Sequence, residues 1–109
     1  MKLVVMIVQD QDVSDLTDRL RESDYMFTKL HSTGGFLRSG NTTLLVGTED
    51  EKVSQLLDMV HGCCKSRRQA APTYNMLDGE LAVSLSHAYE VTVGGATVFV
   101  LDVEQFYKF

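Results

Sequence analysis

The chain has 109 residues and a net charge of −5, with 44% hydrophobic and 23% charged residues. That length holds one domain and one core, with no room for a separate catalytic or cofactor-binding domain. The composition is that of a soluble globular protein rather than a disordered, collagen-like or coiled-coil chain. The acidic balance excludes a bulk electrostatic footprint for nucleic acid or anionic membrane, though not a local one.

Met1–Val8 reads as a buried strand, since Leu3 to Val8 is continuously apolar and partly β-branched. The run is too short to span a membrane and is followed at once by Gln9-Asp10-Gln11-Asp12, which is not a secretory cleavage context. A cytosolic protein is expected. Asp12 is placed to cap a first helix, whose apolar stripe is Val13, Leu16 and Leu20. Tyr25–Ser32 predicts a second strand, and Thr42–Val46 a third, with turn signals at Thr33-Gly34-Gly35 and Ser39-Gly40-Asn41 between them.

Thr48-Glu49-Asp50-Glu51 has the form of a capping box, opening a second helix on Val53, Leu56, Leu57 and Val60. Lys65, Arg67 and Arg68 are expected to close that helix against the negative end of its dipole. Residues 69–86 form a connection too long to be structureless in a compact domain, so it is functional or partly folded. Tyr89–Val93, Gly94-Gly95 and Ala96–Val103 predict a hairpin. The order is β-α-β-β-α-β with its last strand split, which suits an α+β, ferredoxin-like antiparallel sheet with two helices on one face. A single domain over 1–109 follows. Such a sheet leaves its other face apolar or needing a partner, and oligomerisation through it is expected. The aromatic tail, Phe106, Tyr107 and Phe109, is expected to pack on the body or on a neighbour.

Four of the eight glycines, Gly34, Gly35, Gly40 and Gly47, fall in one stretch. Tyr25–Thr48 carries no acidic side chain but has Lys29 and Arg38; Met59–Leu77 is likewise acid-free and holds Lys65, Arg67 and Arg68. Glycines let backbone N–H groups approach an anion, so the pattern fits a phosphate or nucleotide cradle. It fits ordinary turns and strands equally well, and neither a Walker A loop nor a dinucleotide fingerprint is present. Phe36 in its glycine loop is a candidate for stacking on a base, whereas Phe99 inside an apolar strand reads as core from pattern alone. No nucleophile, acid–base pair or metal site stands out. His61, Cys63 and Cys64 lack the paired spacing of a zinc site, and the two cysteines read as small buried apolar residues.

Several stretches together resemble the PII-like cyclic di-AMP receptor proteins. They are Met1-Lys2-Leu3, Ile7-Val8-Gln9-Asp10-Gln11-Asp12, Thr28-Lys29-Leu30, Thr33-Gly34-Gly35-Phe36-Leu37-Arg38 with Gly40-Asn41-Thr42-Thr43, and Val93-Gly94-Gly95-Ala96-Thr97-Val98-Phe99-Val100-Leu101. The resemblance implies a ferredoxin-like homotrimer that binds cyclic di-AMP between subunits, without catalysis and without a cofactor or metal. It implies that Thr28 bonds the phosphate–ribose part and that Asn41 reads an adenine edge. Backbone groups of Gly35, Phe36, Leu37 and Gly47 would line the pocket, Phe36 and Phe99 would contact base faces, and the segment around Phe106 would close the site. Residues 69–86 resemble the family's flexible loop, which changes order on binding and signals to a downstream protein. One position departs: the family usually has arginine where this chain has Met26, so a charge-assisted bond to phosphate, worth about 1.5–3 kcal/mol, is lost. A divergent interaction module, with a weak or different nucleotide ligand, is the alternative this departure supports.

Overall fold

The computed structural model describes residues 1–30, 40–71 and 89–109. Among the described residues, six strands and two helices run in the order β1 (Lys2–Gln9), α1 (Asp10–Glu22), β2 (Phe27–Leu30), β3 (Asn41–Thr48), α2 (Val53–Cys64), β4 (Arg67–Ala71), β5 (Tyr89–Val93) and β6 (Ala96–Asp102). The main sheet has the order β2-β3-β1-β6 with every neighbour antiparallel. With two helices on one face, this is the α+β, ferredoxin-like arrangement expected from the sequence.

Alternation along the strands decides what lies under the helices. Val4, Met6 and Val8 of β1 and Leu44 and Val46 of β3 point to the helical side and are buried. They meet Leu16 and Leu20 of α1 and Leu56, Val60, Cys63 and Cys64 of α2. Each large aliphatic side chain buried in this way contributes about 1.5–3 kcal/mol. Both cysteines are free and buried, as small apolar residues of the core. Tyr25 closes one end of the core, and its hydroxyl donates to the Lys52 carbonyl at 2.8 Å.

Four local expectations are corrected. First, α1 begins at Asp10, so Asp12 lies inside the first turn rather than at the cap. Its carboxylate instead accepts two bonds from Arg67, with Nη2 to Oδ1 at 2.8 Å and Nη1 to Oδ2 at 3.4 Å. Second, Thr48 caps no helix. It is the buried last residue of β3, paired with Lys2, and a short 3-10 turn at Asp50–Lys52 leads into α2.

Third, α2 ends at Cys64, and Arg67 and Arg68 open β4 instead of closing the helix. Fourth, Gly94-Gly95 does not join a hairpin: β5 pairs with β4 in a separate two-stranded ribbon, with Arg67 opposite Val93 and Ala71 opposite Tyr89. The two glycines have φ of +82° and +93° and turn the chain from ribbon to main sheet. The connection predicted over 69–86 is thus partly folded at its start. The rest of it, and the predicted turn and Phe36 segment at 31–39, lie outside the described residues.

The aromatic tail does not pack on the body. Phe106, Tyr107 and Phe109 are exposed, with the Tyr107 and Phe109 rings stacked at 6.1 Å.

Candidate ligand-binding face

The face of the main sheet away from the helices carries Leu3, Val5, Ile7 and Gln9 of β1, Asn41, Thr43, Leu45 and Gly47 of β3, Thr28 and Leu30 of β2, and Thr97, Phe99 and Leu101 of β6. No residue in these strand positions is charged. Every described residue assigned to the ligand from the sequence belongs to this face or its border: Thr28, Asn41, Gly47 and Phe99 in the strands, and Met26 just before β2. Gly35, Phe36 and Leu37 lie outside the described residues.

The residues stand at the margins of the face, not in one pocket. Thr28 pairs with Leu45, Leu45 with Val5, and Val5 with Phe99, so Thr28 and Phe99 end one row that crosses all four strands. Three strand spacings, about 14 Å, separate them. Asn41 and Gly47 are six residues apart on β3, which is about 20 Å of strand. Phe99 is not core, contrary to the pattern reading: it is 47% exposed, because its parity puts it opposite Val98, which packs on the core.

A recess of about 320 Å³ lies at the Asn41 end, lined by Ile7, Gln9, Asn41, Gly94, Gly95, Ala96 and Thr97. Its lining is neutral, with amide, hydroxyl and backbone groups as its polar atoms. A second recess, of about 210 Å³, lies at the Gly47 end and includes Met1, Asp24, Tyr25, Met26 and Lys52. Met26 is 81% exposed at its rim. Charges of both signs surround this second recess. The Met1 ammonium pairs with Asp50 at 2.9 Å, which raises the ammonium pKa and lowers that of the carboxyl. Lys52 Nζ stands 5.4 Å from the centre of the Tyr25 ring.

Residues 1–109 match the cyclic-di-AMP receptor family. The chain belongs to that family. A crystal structure of a functionally unknown protein from Pediococcus pentosaceus has the same fold, with a TM-score of 0.79 at 40% sequence identity over 99% of this chain and 96% of that one.

Gln9, Gly94 and Gly95 belong to the quoted stretches, but the sequence offers no ligand role for them beyond a turn at the two glycines. The structure gathers all three beside Asn41: Gly94 N–H donates to Gln9 Oε1 at 2.7 Å, and Gln9 is the β1 partner of Asn41. The available signal was the glycine doublet after an alternating strand. A third recess, about 510 Å³, lies at the C-terminal end of α2 against β6, with Leu57, His61, Cys64 and Lys65 in its lining, and shares Gly95 and Ala96 with the Asn41 recess. Burial pushes the Cys64 thiol up to about 12. Among the described residues no group of three His, Cys, Asp or Glu side chains is placed to hold a metal ion. No helix among them is long and apolar enough to cross a membrane.

Proposed function

We propose that this protein is a PII-like signalling receptor that binds cyclic di-AMP between copies of the chain, as a homotrimer, and performs no catalysis. The observation that carries the reading is the placement of Thr28, Asn41, Gly47 and Phe99 at separate margins of one uncharged sheet face. The described residues of one chain offer a dinucleotide only partial recesses. Packing this face against neighbouring copies covers Leu3, Val5 and Leu101 and brings different margins together in one site.

The neutral Asn41 recess suits a nucleobase, because an amide side chain matches the donor–acceptor edge of adenine. Phe99 offers a ring face for stacking. Met26 holds no charge for a phosphate, so Thr28 and backbone N–H groups carry more of that contact. Segment 69–86 passes the liganded state to a downstream protein.

Calorimetric titration with cyclic di-AMP, with the mass in solution measured by light scattering, tests the reading. Binding heat at micromolar ligand and a mass of three chains are expected. No heat at high micromolar concentration, with the protein folded, overturns it. Asn41→Ala is expected to lose adenine recognition while staying folded and trimeric. The exposure of Met26 beside Asp24 favours one second reading, an interaction module of the same scaffold that has lost the dinucleotide; binding gained only in Met26→Arg marks that outcome.

A further inference from the structure

Asn41 is the first residue of β3. Gly40 before it has a φ of +94°, and among the described residues Gln9 of β1 is its only strand partner. The end of a strand frays unless something else ties it down. Here the tie is Asp10, the residue after Gln9 and the first of α1. Its N–H donates to the Gly40 carbonyl at 2.8 Å, and its Oδ1 accepts the Thr42 hydroxyl at 2.5 Å. Asp10 therefore holds both the residue before Asn41 and the residue after it.

Alternation lets it do so without filling the recess. Thr42 turns to the helical side, where it is 6% exposed, and Asn41 to the open side. Asp10 does not line the recess, whereas Asn41 and Gln9 do. An acid in the first turn of a helix is favourable for the helix alone. That explains the charge at position 10 but not its direction. The N-cap of α1 makes no side-chain capping bond, and the Asp10 carboxylate reaches across to β3 instead. A hydroxyl at position 42 is also unlike its neighbours on the helical side, which are Val8, Leu44 and Val46. The direction of a Cα–Cβ bond is set by the backbone around it, so a fixed backbone leaves an asparagine only its two side-chain torsions to settle. An amide held in this way meets a base without first ordering its own strand end, which lowers the cost of binding.

We infer that Asp10 is a positioning residue for Asn41: by holding Gly40 and Thr42 it sets the Asn41 amide in the recess for the adenine edge. This rests on reading the Asn41 recess as part of the cyclic di-AMP site.

Calorimetric titration of the full-length protein with cyclic di-AMP and, separately, with cyclic di-GMP tests it. An aligned amide matches the amine and ring nitrogen of adenine, whereas guanine offers two acceptors on the same edge. Asp10→Ala is expected to weaken cyclic di-AMP about tenfold and to lower the preference over cyclic di-GMP by a similar factor. Thr42→Val, which removes the hydroxyl and keeps the shape, is expected to do the same, and Thr42→Ser to restore most of the loss. Thr42→Val decides the matter if Asp10→Ala does not fold. Because the effect passes through Asn41, adding Asp10→Ala to Asn41→Ala is expected to cost no further affinity. Absence of binding heat in the wild type overturns the functional reading itself. Full affinity in Asn41→Ala overturns the assignment of Asn41, and this inference with it. Binding that Asn41→Ala weakens but Asp10→Ala and Thr42→Val leave unchanged overturns this inference alone. So does a loss in Asp10→Ala that adds in full to that of Asn41→Ala, or that falls equally on both dinucleotides, as a merely structural role would give.

Discussion

The two faces of the main sheet are made by alternate residues of the same strands, and they differ in nearly every physical respect. On the helical side Val4, Met6, Val8, Leu44 and Val46 are sealed among helix side chains. On the other side Leu3, Val5, Ile7 and Leu45 stay partly open, and Phe99 and Leu101 are exposed. Both faces present aliphatic side chains, so hydrophobicity alone does not tell stability from recognition. The covered face holds the chain together, whereas the uncovered face is the one we propose neighbouring copies complete. Thr28, Asn41, Gly47 and Phe99, with Met26 just before β2, all lie on or beside the uncovered face.

The sharpest contrast is chemical. Cys64, sealed on the covered side, has its thiol pushed up to about 12 from an ordinary value of 9.0. The thiolate is the reactive form, so alkylation at pH 8 is expected to run roughly a thousandfold slower than in the unfolded chain. Mass spectrometry of the native and denatured protein checks this, and equal rates would show that the core is open. The sign for stability follows. A raised thiol pKa favours the folded state fully below pH 9, and that contribution is lost as pH rises toward 12.

The next largest effect separates neighbours on one strand. Leu44→Ala removes a fully buried side chain and is expected to cost about 2–5 kcal/mol in denaturant unfolding. Leu45→Ala, one residue along and on the open face, is expected to cost less in the folding of the chain and to show itself as a loss of mass in solution. Equal losses of stability at both positions, with assembly intact, would break the comparison.

Met26→Arg, at the rim of the open face, is expected to strengthen cyclic di-AMP binding by about 1.5–3 kcal/mol by titration, with unfolding unchanged. The smallest effect belongs to the surface. Lys2 pairs with Asp102, which raises the lysine pKa. Lys2→Met is nonetheless expected to leave the thermal midpoint almost where it was, because exposed pairs are screened.

The secondary structure was legible where one period ran without interruption: β1, the Leu16–Leu20 stripe of α1, the Leu56–Val60 stripe of α2, and β3. Caps were misread at Asp12 and Thr48 because both residue types also serve distant partners. Asp12 had Arg67 to bind, 55 positions away, and no local spacing announces such a pair. The basic residues after α2 had two local uses, ending a helix or starting a strand. Pairing with Tyr89–Val93 decided for the strand.

By itself the sequence determined the α+β class, the order of the elements through α2, the burial of the two cysteines and the family to which the chain belongs. These follow from local periodicity, composition and contiguous motifs. Only the tertiary structure decided that β5 leaves the main sheet to pair with β4, that Phe99 faces outward, and that Thr28, Asn41, Gly47 and Phe99 stand at separate margins of one face. Strand partners and the outward side of a strand depend on contacts between residues far apart in the chain, and those contacts form only when the sheet closes over its core.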